Sequence, residues 1–216
     1  MIGETALSRR EVLKRLGLAG AAAFVLPELG RVLSFQRELL ARQAPQGDVA
    51  RPQTLSAAEA ATLAAICARI IPSDENGPGA AEARASHYID RALGGWLAPS
   101  REAYTTGLKA IDEAGRTRSG QRFVELTGAE QDALLRTFEQ TPFFALVRAH
   151  TLQGTFCDPA YGGNANFVGW DLLGYPGVRL AVPAEDQRMA ATPKPTHRSA
   201  YDYAMFANAI GAAHVH

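Results

Sequence analysis

His150, Cys157 and Asp158 are the residue types from which a nucleophilic site is built: a thiol to attack, an imidazole to take its proton, a carboxylate to orient the imidazole. A plainer account fits the same three residues. His150 falls on a helix flank, Cys157 packs as a small hydrophobe, and Asp158 before Pro159 makes an Asx turn. The plainer account is preferred because nothing else completes a catalytic pattern. The chain has no G-x-S-x-G, H-E-x-x-H or C-x-x-C-H, and Gly162-Gly163 follows no strand and opens no dinucleotide fold. The remaining histidines, His87, His197, His214 and His216, are scattered, and the closing His-Val-His reads as a tail. Asp74 and Glu75 read as a solvated loop pair. As a catalyst on its own, the chain is a poor candidate.

The most unusual segment runs from 155 to 177, "TFCDPAYGGNANFVGWDLLGYPG". Glycines, which permit backbone conformations other residues resist, alternate there with Phe156, Tyr161, Phe167, Trp170 and Tyr175. That texture predicts a tightly packed, specific loop. It covers this chain's own core, or it presents rigid aromatics to another protein. Periodicity does not separate the two, and both readings stand.

The elements that must position this loop read as helices. Ser56 and Glu59 form a capping box, and Leu63, Ile66, Cys67, Ile70 and Ile71 follow as one apolar stripe that Pro72 ends. A second helix is expected over 80–93, with Ala83, Tyr88, Ile89 and Leu93 inward, and a third over 100–114 on Tyr104, Leu108 and Ile111. "GRTRSGQRF" reads as a connection. Thr127 and Glu130 cap a fourth helix, and Pro142 opens a fifth whose stripe is Phe143, Leu146, Val147, His150 and Leu152. Beyond 154 only a short turn at 167–173 is expected, and no stretch alternates as a strand would. The fold class is therefore all-α: an orthogonal helical bundle with a long irregular Gly/aromatic-rich C-terminal segment. An arm of that length without regular structure is usually functional or folded onto a partner.

The front of the chain has another character. Ser8-Arg9-Arg10-Glu11-Val12-Leu13-Lys14 resembles the twin-arginine export consensus, and an apolar block over 16–26 follows it, ended by Pro27. About 11 apolar residues suit a signal region and fall short of the roughly 20 that a membrane span needs. The expected organisation is a twin-arginine signal over 1–30, helix and linker over 31–54, and one helical domain with its C-terminal arm over 55–216. Lys plus Arg and Asp plus Glu each number 22, and no basic run occurs, so nucleic-acid binding has no support. Two cysteines, Cys67 and Cys157, are too few for a thiolate zinc site; bridged, paired with another chain and free all remain open.

"FCDPAYGGNANFVGWDLLGYPG" resembles the signature of the gluconate 2-dehydrogenase subunit 3 family, and "LAAICARIIPSDENGPGAAEARASHYIDRAL" is similar to that family's upstream helices and Ile-Pro-Ser-Asp loop. The resemblance spans about residues 54–180. It implies a small, cofactor-free subunit of a membrane-associated dehydrogenase complex in the periplasm. Its large partner would be an FAD-containing oxidoreductase of the glucose-methanol-choline type acting on sugars or sugar acids. A cytochrome c subunit carrying haem often completes such complexes. The large subunit commonly lacks a signal, so this chain's leader, with Arg9 and Arg10, would carry it through the twin-arginine machinery already folded around its flavin. The resemblance also implies interface roles, or structural roles that shape an interface, for Asp158, Pro159, Tyr161, Gly162, Gly163, Asn164, Gly169, Trp170, Gly174, Pro176 and Gly177. Asp158 and Asn164 are expected to brace the glycine turn. Cys157, extra to the motif, is a candidate for a disulfide to the catalytic subunit. The alternatives are an independent periplasmic binding or structural protein, and an enzyme using His150, Cys157 and Asp158.

Overall fold

Ser56 starts the first helix by the interlocked contacts its sequence announces. Its Oγ accepts the Glu59 N–H at 3.3 Å, while the Glu59 carboxylate accepts the Ser56 N–H at 2.9 Å. The Ser56 hydrogen bond holds the Glu59 carboxyl below its ordinary value. The computed structural model describes residues 52–188, 191 and 193–206, and among them every regular element is helical. The leader and its Arg9-Arg10 pair lie outside the described residues, as do residues 31–51 and the terminal histidines.

Helix α1 spans Ala57–Ile70, α2 Ala85–Leu93, α3 Arg101–Ser119, α4 Gly128–Phe138 and α5 Pro142–Phe156. Two short helices follow, α6 over Val168–Leu172 and α7 over Ala184–Gln187. The core joins Leu63, Ile66 and Cys67 of α1 to Ile89 and Leu93 of α2, Tyr104, Leu108 and Ile111 of α3, and Val147 of α5. Each fully buried Leu or Ile contributes about 1.5–3 kcal/mol. Asp90 of α2 ties the segment before α1 to this core. Its carboxylate, 3% exposed, accepts the backbone N–H groups of Gln53, Thr54 and Leu55 at 2.6, 3.1 and 2.8 Å. A buried carboxylate is tolerated when donors satisfy it in this way.

Three expectations need correction. The second helix starts at Ala85 rather than 80, because Arg84 adopts φ 55°, ψ 38° and interrupts it. The third runs five residues past Ala114, to Ser119, before Gly120 at φ 75° stops it. Leu152 of α5 is exposed, and the buried face is Val147, His150, Thr151, Gly154 and Thr155. Small residues occupy that face because α2 comes too close for larger ones. A Cβ on Gly154 would lie 2.9 Å from the Ala85 carbonyl oxygen. The two threonines satisfy their hydroxyls on their own helix, Thr151 donating to Val147 O at 2.7 Å and Thr155 to Thr151 O at 2.8 Å.

Candidate functional site

At the end of α5 the chain reverses and folds back on the helix it has just left. Cys157 closes the helix, and the Asp158 carboxylate accepts the Ala160 N–H at 3.0 Å to form the turn, with Pro159 at its first position. Gly162 ends the turn at φ 95°. The returning strand of loop then lies directly on the backbone of α5. A Cβ on Gly163 would sit 2.0 Å from Gly154 O, and one on Gly169 would sit 1.9 Å from Thr155 O. No side chain fits at either position, which explains two of the signature glycines.

Asn164 is the centre of this loop. It is wholly buried and left-handed at φ 44°. Its backbone N–H donates to Gly154 O at 2.8 Å, and its amide Nδ2 donates to Cys157 O at 2.9 Å. Its Oδ1 accepts the N–H of Gly169 at 2.8 Å and that of Trp170 at 3.4 Å, so one side chain closes the loop and caps α6. Trp170, 6% exposed, fills the space beside it, donating Nε1–H to Phe156 O at 3.0 Å. Phe167 and Tyr175 pack on its ring, Tyr175 edge-on at 4.9 Å. Gly174 ends α6 at φ 63°.

Residues that sequence reasoning left unassigned complete the arrangement. The Pro176 carbonyl accepts both the N–H and the hydroxyl of Thr196, each at 2.7 Å, and Val178 N–H donates to Arg198 O at 2.9 Å. Asp158 Oδ1 accepts the Ser199 hydroxyl at 2.6 Å, and Oδ2 accepts the Ala200 N–H at 2.9 Å. The hydroxyls of Tyr161 and Tyr201 share a 2.7 Å hydrogen bond, which pushes the Tyr161 phenol up to about 12. His197 Nε2 meets Asp171 Oδ1 at 2.7 Å and its ring stacks on Phe167 at 5.1 Å. The Ser199-x-x-Asp202 pattern, a capping box in the structure, was the signal for this segment.

The three residues that suggested a nucleophilic site have separate partners. His150 Nδ1 and the Tyr104 hydroxyl share a 3.0 Å hydrogen bond, and burial holds the imidazole below its ordinary value. Cys157 lies seven residues further along, about 10 Å up the helix axis at 1.5 Å per residue. Burial pushes its thiol up to about 11. Asp158 serves the turn and the arm. Cys67 and Cys157 are both free, and Cys67 contacts the Thr151 hydroxyl at 3.3 Å in the core. Beside the loop, Tyr88, Trp96, Gln153, Phe156, Cys157 and Tyr161 line a shallow hollow of about 390 Å³. Among the described residues no group of three His, Cys, Asp or Glu is placed to hold a metal ion.

These contacts define a class: a small all-α protein whose glycine–aromatic segment is folded onto its own helix and fastened there by its own C-terminal arm. The family model described as gluconate 2-dehydrogenase subunit 3 matches residues 57–177, from the first residue of α1 to the last glycine of the signature. The chain belongs to the gluconate 2-dehydrogenase subunit 3 family. No curated protein and no solved structure matches it.

Proposed function

We propose that this chain is the non-catalytic small subunit of a periplasmic FAD-dependent dehydrogenase of the glucose-methanol-choline type, acting on a sugar or sugar acid. Membership of a family named for an accessory subunit carries the reading. In it, the chain brings no cofactor. The large partner holds FAD, a cytochrome c subunit holding haem c completes the complex and passes its electrons on, and the complex associates with the inner membrane. The Arg9-Arg10 leader exports chain and folded partner together by the twin-arginine route. The site geometry supports an accessory role, since Asp158 and Asn164 spend their hydrogen-bonding capacity inside the chain. Trp96, Tyr161 and Tyr175, respectively 52%, 41% and 41% exposed, are the amphipathic types that anchor interfaces.

The test is affinity capture of the full chain from its native periplasm, with mass spectrometry and a visible spectrum of the eluate. A co-purifying large subunit with flavin absorbance is expected, and haem bands identify the cytochrome. A solitary, colourless protein overturns the reading. Changing Arg9→Lys together with Arg10→Lys is expected to strand both subunits in the cytoplasm; normal export of the large subunit would sink the shared-leader part. The disulfide to the partner through Cys157 is tested by a non-reducing gel of the same eluate. Burial pushes the Cys157 thiol up to about 11, which disfavours the thiolate that disulfide exchange requires.

A further inference from the structure

The family match ends at Gly177, yet several residues within it make contacts beyond it, among them Pro176 with Thr196 and Asp171 with His197. Asp158 binds the Ser199 hydroxyl and the Ala200 N–H, 41 and 42 residues away. Tyr161 binds the Tyr201 hydroxyl. Gly177, at φ 98°, lies so close to the returning chain that a Cβ there would meet Thr196 Oγ1 at 2.7 Å and Arg198 N at 3.1 Å. Asp158 and Gly177 are thus shaped to receive residues 196–201 as much as to shape their own loop.

The received segment also reaches the hollow. Tyr161 forms one of its walls, between the edge-on rings of Trp96 at 5.8 Å and Tyr201 at 6.0 Å. Tyr161 is the last residue of the short 3-10 turn Pro159–Tyr161, which Asp158 caps and Gly162 ends at φ 95°, so its ring depends on these neighbours for its position. Cys157, half-buried, lines the same hollow.

We propose that residues 196–201 form a strap, latched by Asp158, Tyr161 and Gly177, and that the latched strap gates the aromatic hollow by fixing the Tyr161 ring in its wall, beside Cys157. Releasing the strap frees the Tyr161 ring and opens the way to Cys157. The latch is made of hydrogen bonds outside the apolar core, Ser199 being 7% exposed and the Tyr161–Tyr201 pair exposed, while the core has its own apolar packing. Opening is therefore a local event with a lower free energy than global unfolding.

Two readouts on the full-length protein test this. Ser199→Ala combined with Tyr201→Phe removes the strap's two side-chain hydrogen bonds, to Asp158 and to Tyr161, and leaves the Asp158–Ala160 turn and the Ala200 N–H contact intact. Hydrogen exchange of the amides over 196–201 is expected to rise about tenfold, the effect of losing one to two net hydrogen bonds, with exchange in α1, α3 and α5 unchanged. Labelling of Cys157 by a small thiol reagent is expected to rise with it. Cys67 gives no background, because it is 1% exposed with its thiol pushed up to about 12. Unchanged exchange over 196–201 overturns the strap. Faster exchange with unchanged Cys157 labelling overturns the gate. If the double variant also loosens α1, α3 and α5, Tyr201→Phe alone decides, since it deletes only one hydroxyl; unchanged Cys157 labelling in that variant overturns the gate as well.

Discussion

Asn164 should be worth more to this fold than any other polar residue of the signature, and the structure provides its own control. Asn164→Ala deletes the donor to Cys157 O and the acceptor of the Gly169 and Trp170 N–H groups, all around a side chain with no exposed surface. Two good hydrogen bonds at about 1 kcal/mol each, plus about 1–3 kcal/mol for the buried Gly169 N–H left without an acceptor, give a loss of about 3–5 kcal/mol. Alanine is also a poor occupant of the left-handed region, at about 1–2 kcal/mol. Asn166 shares that backbone penalty, at φ 55°, but its side chain is exposed and has no hydrogen bond among the described residues. Subtracting the effect of Asn166→Ala from that of Asn164→Ala thus isolates the buried bonds.

The assay is urea unfolding of both variants followed by tryptophan fluorescence, with Trp170 packed against the altered site. A difference of about 3–5 kcal/mol is expected, a midpoint separation of about 2 M for a slope near 2 kcal/mol per molar. A companion, Asn164→Asp, keeps the acceptor for Gly169, and only its protonated form can still donate to Cys157 O. Its buried carboxyl is favoured protonated, so its folded pKa is raised. The stability of that variant should be full below the unfolded carboxyl pKa and lost as pH rises through the folded one. A difference between the two alanine variants below about 1 kcal/mol would refute the assignment of Asn164 as the centre of the loop.

The signature glycines should divide by their surroundings. Gly163→Ala and Gly169→Ala place a Cβ within 2.0 Å of α5 carbonyl oxygens and are expected to abolish the native loop, seen as lost near-UV dichroism and a large fall in melting temperature. Gly174→Ala meets nothing within 4 Å and bears only the cost of φ 63°, about 1 kcal/mol. Comparable effects at all three positions would contradict the close-approach argument. The histidines give a pH dependence of fixed sign. Burial holds His150 and His87 below the ordinary value of 6.5, so the unfolded chain takes up their protons first. The stability they contribute is present above that value and is lost as pH falls through their folded values. The urea midpoint should therefore drop between pH 8 and pH 5, and His150→Gln should flatten that drop. An unchanged slope would remove His150 as its source.

The legible parts of this chain were those with local causes. Capping boxes at Ser56 and Thr127 and the proline at 142 work within four residues, and each helix start they announce is where the structure has it. The missed boundaries have distant causes. Gly115 and the arginines after it read as a connection, yet α3 continues through them. The glycine is there for the returning chain, whose Gln121 O would lie 2.9 Å from its Cβ. Arg84 in the left-handed region has no local signature, and it moves the start of α2 by five residues. At the site, the density of glycines and aromatics did imply tight packing, but not against what. The backbone of α5 and the strap at 196–201 are the answer. Contacts such as Asp158 to Ser199 span 41 residues, a distance over which neither periodicity nor capping patterns carry information.

The signature mixes two kinds of residue, and they should fail differently. Asn164, Gly163, Gly169 and Trp170 face inward, and the Asp158 carboxylate is taken up by its turn and the strap. Leu173, 64% exposed, faces outward and buries little within the chain, while Trp96, outside the signature and 52% exposed, meets the rings of Tyr88 and Tyr161 with its other half. Surface substitutions of that kind change stability by about 0.5 kcal/mol or less, whereas the loss of an aromatic anchor at an interface costs about 2 kcal/mol or more. Leu173→Ser should accordingly leave the urea midpoint nearly unchanged, Trp96→Ala should cost about 1–3 kcal/mol through its two ring contacts, and each should lower capture of the proposed large subunit by tenfold or more where it anchors it. Inward substitutions should lose capture and stability together. If the outward variants capture as much partner as the wild-type chain, the partner is seated on another face, and the aromatics of this loop serve the chain's own core alone.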